Sequence, residues 1–172
     1  TGAAAEAALY CQKTLNARNI KGSLATFATL VAAVSRPVFT RPNPSDETRF
    51  DRPFPIEITS GGTQRCAGAQ LLMFSTTLEK LILGARPFWH GKTAPIRTSV
   101  FPYPVPSIPR WLLPIMYGSE NRKMPEGALS FSSESLEISC PGRFVIDGEF
   151  FAAKRDEPLR VETGHLFTYI CG

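Results

Sequence analysis

Phe144-Val145-Ile146-Asp147-Gly148-Glu149, followed by Pro158-Leu159-Arg160-Val161-Glu162 and Leu166-Phe167-Thr168-Tyr169-Ile170, decides the fold. In each piece apolar residues stand two apart. That is the period of a strand, whose side chains alternate between faces. The same spacing recurs upstream in Leu129 and Phe131, in Leu136 and Ile138, and in Phe54, Ile56 and Ile58. Gln70–Ser75 reads as a buried strand and Thr93–Phe101 as another, closed by Pro102, Pro104 and Pro106. The total is about seven to nine short strands, at the spacing of a sandwich or barrel. Ser60-Gly61-Gly62-Thr63 reads as a hairpin turn, because it lacks the lysine and the following helix of a phosphate loop.

The first third of the chain differs. Residues 3–17 are Ala-rich and predict a helix, closed by Gly22 as a left-handed cap. Ser23 can cap a second helix through about Val34, stopped by Pro37. Arg41–Pro55 holds four prolines and reads as a loop. Two shorter helical pieces are expected: one after Thr76, whose spacing to Glu79 is that of a capping box, ending at Gly84, and one or two turns at Ile108–Tyr117. The fold class expected is therefore mostly β with a few helices: an antiparallel β-sandwich over 54–172, with a helical segment over 1–36, all in one domain of 172 residues.

Composition agrees with a folded domain: 43% apolar and 20% charged residues, with 15 prolines and 13 glycines. A net charge of +4 could attract an anion, but an ordinary basic surface explains it as well. Cys11, Cys66, Cys140 and Cys171 contain no Cys-x-x-Cys pair, which argues against a zinc site and for reduced, partly buried thiols in a cytoplasmic protein. No apolar run reaches the roughly 20 residues of a membrane span. Ala3–Leu9 lacks the basic leader of a signal peptide, and the opening Thr1-Gly2, without Met, suggests a fragment of a longer protein.

Several residues could carry chemistry. His90 and His165 each sit near a turn with no Cys or Ser nucleophile at a telling distance, so neither a hydrolase triad nor a metal pair is supported. Arg86, Lys92, Arg97, Arg110, Arg122 and Lys123 lie among Trp89, Tyr103, Trp111 and Tyr117. That interleaving fits single-stranded nucleic acid, a cleft for anions, or plain surface residues with apolar stems, the last being the default. Asp147-Gly148-Glu149 is the sharpest feature. It can be an Asp-Gly hairpin turn. It can also be two close carboxylates that accept a proton from a substrate hydroxyl or hold a magnesium ion, with Gly148 admitting a ligand close to the backbone.

In context, Phe144–Glu149, a hairpin, Pro158–Glu162 and the final Leu-Phe-Thr-Tyr-Ile strand resemble the C-terminal end of the diacylglycerol kinase, sphingosine kinase and bacterial lipid kinase family. Leu71–Phe101, with Gly84-Ala85-Arg86-Pro87-Phe88-Trp89 and Ile96-Arg97-Thr98, looks like the middle of its bacterial branch. The resemblance implies the second domain of the NAD kinase/diacylglycerol kinase-like fold, packed against an N-terminal nucleotide-binding domain of the same chain. It implies transfer of a phosphoryl group from ATP, with Mg2+, to the hydroxyl of a diacylglycerol-like lipid. Glu149 would then be the proton acceptor and Asp147 its catalytic partner and magnesium ligand, with Gly148 beside the nucleotide. Cytoplasmic localisation with peripheral contact at the inner membrane face would follow, and nucleic acid would not be a partner. Two family features are missing: the Gly-Gly-Asp-Gly nucleotide motif, and an Asp-Gly-x-Leu metal signature, since Phe101–Ile108 carries no carboxylate. A fragment without the first motif is expected to be inactive alone. The alternative is a non-catalytic β-sandwich that binds a lipid or a protein.

Overall fold

A computed structural model describes residues 53–81, 84–90, 93–104, 117–146, 149–153 and 157–164, the side chain of Arg143 excepted. They form eight strands: β1 (Phe54–Ser60), β2 (Thr63–Thr76), β3 (Ile96–Pro102), β4 (Leu129–Ser133), β5 (Ser135–Ser139), β6 (Gly142–Ile146), β7 (Glu149–Ala153) and β8 (Leu159–Glu162). Six make one sheet in the order β4-β3-β2-β1-β5-β8, and β6 and β7 form a separate pair. Every strand pairing is antiparallel. The protein is mostly β, as the two-residue periodicity implies. The expected helices at 3–17 and 23–34 and the last strand at 166–170 lie outside the described residues, as do the expected turns at 108–116.

The β1–β2 connection forms as its sequence dictates. Ser60 pairs with Thr63, and Gly61 and Gly62 take φ values of 56° and 74°. A two-residue hairpin of matching twist needs positive φ at both central positions, which glycine supplies without a steric penalty. β1 then alternates: Ile56, Ile58 and Ser60 are buried, while Pro55 and Glu57 are exposed.

β2 is 14 residues long and serves two partners. Its first half, to Gln70, pairs with β1; its second half, from Gln70 to Thr76, pairs with β3. Gly68, at φ 117°, and a register shift between Gln70 and Leu72 sit at the changeover. Irregularities of this kind bend a strand and let it pass from one layer to the next. A second crossing occurs at Glu134, the single residue between β4 and β5: β4 pairs with β3 on one side of β2, and β5 with β1 on the other.

Both crossings require the sheet to curl round its own apolar face. The core cluster confirms this: Ile56, Ile58, Met73, Ile96, Val100, Leu136, Ile138 and Cys140 pack together, drawn from β1, β2, β3 and β5 and from the residue after β5. Leu129 and Phe131 of β4, and Leu159 and Val161 of β8, pack against the same cluster from opposite ends of the strand order. Fully burying one such aliphatic side chain contributes about 1.5–3 kcal/mol.

A second cluster lies on the other face of β2, β3 and β4. Trp89 and Phe101 form it, with Leu72, Phe74, Met124 and Ala128 packed around them. Phe101 meets Trp89 edge to face at 5.9 Å and Phe74 at 6.5 Å. Hydrogen bonds fasten the covering segment: the Trp89 amide and the Ser99 hydroxyl both donate to the Ser130 Oγ, at 3.1 and 2.9 Å. Gly118 is buried there, and a Cβ on it would stand 3.0 Å from both the Arg86 carbonyl and the Trp89 ring. The backbone passes so close to the indole that a side chain here would force the Arg86 carbonyl or the Trp89 ring to shift.

One expectation fails. No α-helix follows Thr76 over the described residues 77–81. The Thr76 hydroxyl does accept an amide, but from Leu78, at 3.1 Å, two residues on, where a capping box needs the amide three residues on. That bond makes a Thr turn.

Candidate functional site

The hairpin of β6 and β7 carries the residues singled out in the sequence. Its register sets Gly142 opposite Ala153, Phe144 opposite Phe151 and Ile146 opposite Glu149. Directly opposed residues share a face, so Phe144, Ile146, Glu149, Phe151 and Ala153 all lie on one side of the hairpin. That face passes from core to solvent along its length. Ala153 packs against the main core cluster, and Phe144 is 7% exposed. The Phe144 and Phe151 rings stack at 5.6 Å with 20° between their planes. Phe151 is itself 42% exposed and Ile146 is 47% exposed. Glu149, the first residue of β7, is exposed beside them.

The face thus joins a carboxylate to two uncovered apolar side chains at the open end of a hairpin whose base is anchored. An exposed carboxylate can accept a hydrogen bond or a proton from a hydroxyl. Uncovered isoleucine and phenylalanine give an apolar chain a surface to lie on. Asp147 and Gly148 connect Ile146 to Glu149 in the chain and lie outside the described residues, so of the Asp-Gly-Glu motif the structure describes Glu149. The sequence singles out Glu149 but does not reveal that Ile146 and Phe151 share its face. Only the pairing register supplies that.

The described residues do not make a magnesium site. No three His, Cys, Asp or Glu side chains among them come together. Glu149 alone offers too few oxygens for an ion that prefers six.

The other sequence candidates separate. Arg86 bridges to Tyr117, and Arg122 donates to the Tyr117 carbonyl at 3.0 Å, so these three gather at one place. His90 is exposed next to the buried Trp89. Arg97 lies on β3, its guanidinium carbon 5.9 Å from the centre of the Phe88 ring. Lys92, Arg110, Trp111 and His165 lie outside the described residues. Cys66 and Cys140 are free, and burial pushes both thiols up from the usual cysteine range, so they are protonated at neutral pH.

Among the described residues, no helix is long and apolar enough to cross a membrane. No family model, no curated protein and no solved structure matches the chain.

Proposed function

We propose that this chain is the β-sandwich lobe of an ATP-dependent lipid kinase and that Glu149 is its proton acceptor. The observation that carries the reading is the exposed Glu149 at the head of β7, sharing a face with the exposed Ile146 and Phe151. An alcohol with an apolar tail has two needs, an acceptor for its hydroxyl proton and a surface for its tail, and this face offers both. The resemblance of the Asp-Gly-Glu segment to lipid kinases supplies the reaction class.

In the proposed reaction the lipid hydroxyl donates to a Glu149 carboxylate oxygen. The hydroxyl oxygen attacks the γ-phosphorus of ATP, and the bond from that phosphorus to the bridging oxygen of ADP breaks. The proton passes to Glu149 and then to water. Ile146 and Phe151 hold the tail so that the hydroxyl stays within reach, which is where much of the rate of such a transfer originates. The nucleotide's phosphates would be held by an N-terminal lobe, and the enzyme would meet its substrate at the cytoplasmic face of a membrane.

The test uses the full-length protein with ATP, Mg2+ and a panel of diacylglycerol, monoacylglycerol, sphingosine and ceramide. Glu149→Gln keeps the shape but not the basicity. Loss of a general base lowers turnover by about 10²–10⁴-fold, with unchanged folding because the side chain is exposed. A near wild-type rate in Glu149→Gln removes the proposed role. Absence of any phosphorylated lipid removes the kinase reading and leaves a lobe that binds a lipid or a protein without catalysis.

A further inference from the structure

Thr76 of β2, Arg97 of β3 and Ser132 of β4 stand directly opposite one another across three strands. Opposed residues share a face, so a guanidinium is flanked on both sides by hydroxyls. The next row on this face, Phe74, Ser99 and Ser130, is internally satisfied: Ser99 and the Trp89 amide both donate to Ser130. The Arg97 row differs at Arg97 itself. Its guanidinium lies over the Phe88 ring, and its buried Nε has no acceptor. A buried donor without an acceptor costs free energy that a fold normally avoids. The Thr76 hydroxyl accepts the Leu78 amide, which leaves its own proton to donate.

We propose that Arg97, its guanidinium carbon 5.9 Å from the centre of the Phe88 ring and flanked by Thr76 and Ser132, binds a phosphate group. The chemistry favours phosphate over carboxylate. A guanidinium fork engages two oxygens of an anion, and a tetrahedral phosphate has further oxygens to meet a hydroxyl beside the fork. The Phe88 ring attracts the guanidinium charge and favours its position beside the hydroxyls before the anion arrives. Two sources share this chemistry: free phosphate, and the headgroup of a phospholipid. Leu78, 61% exposed, is tied to the row through the bond from its amide to Thr76, and Glu79 and Lys80 after it are also exposed. An exposed apolar side chain tied to a phosphate site is what a membrane surface would engage. The inference stands apart from the role of Glu149 and holds whether or not the chain takes part in catalysis.

The experiment measures binding to the full chain by calorimetry for inorganic phosphate, with acetate as control, and by co-sedimentation for phosphatidylcholine vesicles with and without phosphatidic acid. Phosphate binding that Arg97→Gln weakens by about tenfold or more, and that Arg97→Lys also weakens, supports a free-phosphate site, because the lysine keeps the charge and loses the fork. Binding only to vesicles containing phosphatidic acid, lost in both Arg97→Gln and Leu78→Ser, supports the headgroup. Arg122→Gln, a cation outside the row, should change neither. Should Arg97→Gln fail to fold, Thr76→Val decides, with a smaller loss of the same binding expected. Wild-type protein that binds neither probe, or binding equal in wild type, Arg97→Gln and Thr76→Val, overturns the proposal.

Discussion

The six-stranded sheet and the β6–β7 hairpin are built from the same kinds of residue and treat them in opposite ways. In β1 and β5, Ile56, Ile58, Leu136 and Ile138 are at most 3% exposed, because strands on both sides and the curled half of the sheet opposite cover them. In the hairpin, Ile146 and Phe151 keep nearly half their surface in solvent although they stand on the same face as the buried Phe144. A two-stranded ribbon has no further strands to cover its far end. Apolar residues in the sheet therefore stabilise the fold, while those at the hairpin's open end contribute little to it and remain available to a ligand.

Substitutions can break or sharpen this contrast. The largest effect is expected at Ile58, which is fully buried between β2 and β5. Ile58→Ala should destabilise by about 2–5 kcal/mol in urea or guanidinium unfolding, from lost transfer energy and the cavity left behind. A loss below about 1 kcal/mol would mean the sheet is not packed as described. An intermediate effect is expected at Ser130, where two donors converge. Ser130→Ala strands the buried Trp89 amide and Ser99 hydroxyl and should cost about 1–3 kcal/mol, with a change in tryptophan fluorescence reporting the loosened covering segment. The smallest is expected at the hairpin. Ile146→Ala should fall within about 0.5 kcal/mol of wild type, as exposed positions do. A drop matching that of Ile58→Ala would show that the hairpin end is covered after all and would remove it as a ligand surface.

The strands were legible because their apolar residues stand two apart and because Gly61-Gly62 can adopt the turn that β1 and β2 require. Ile56, Ile58, Leu136 and Ile138 were readable as buried for the same reason. The expected helix after Thr76 was not borne out, because a threonine hydroxyl can satisfy an amide two residues away as readily as one three residues away, and spacing does not distinguish them. The double service of β2 was hidden, since a continuous strand pattern does not reveal that its halves have different partners. At the candidate site Glu149 was legible as an unburied acid at a strand end. Its apolar companions were not, because Ile146 and Phe151 look in sequence like two more core residues. Nor was the Arg97 row: Thr76, Arg97 and Ser132 are scattered along the chain, and only strand pairing brings them side by side.

The passage of β1 between β2 and β5 has a consequence for how the chain is made. Its pairing with β2 is available as soon as the adjoining turn has formed. Its other edge waits for residue 139 to reach residue 57. Closing so long a loop is slow compared with forming a hairpin between neighbours. During synthesis, then, the β1–β2 ribbon leaves the ribosome with one strand edge and the apolar side of Ile56 and Ile58 uncovered, and it stays vulnerable to association with other chains until β5 arrives.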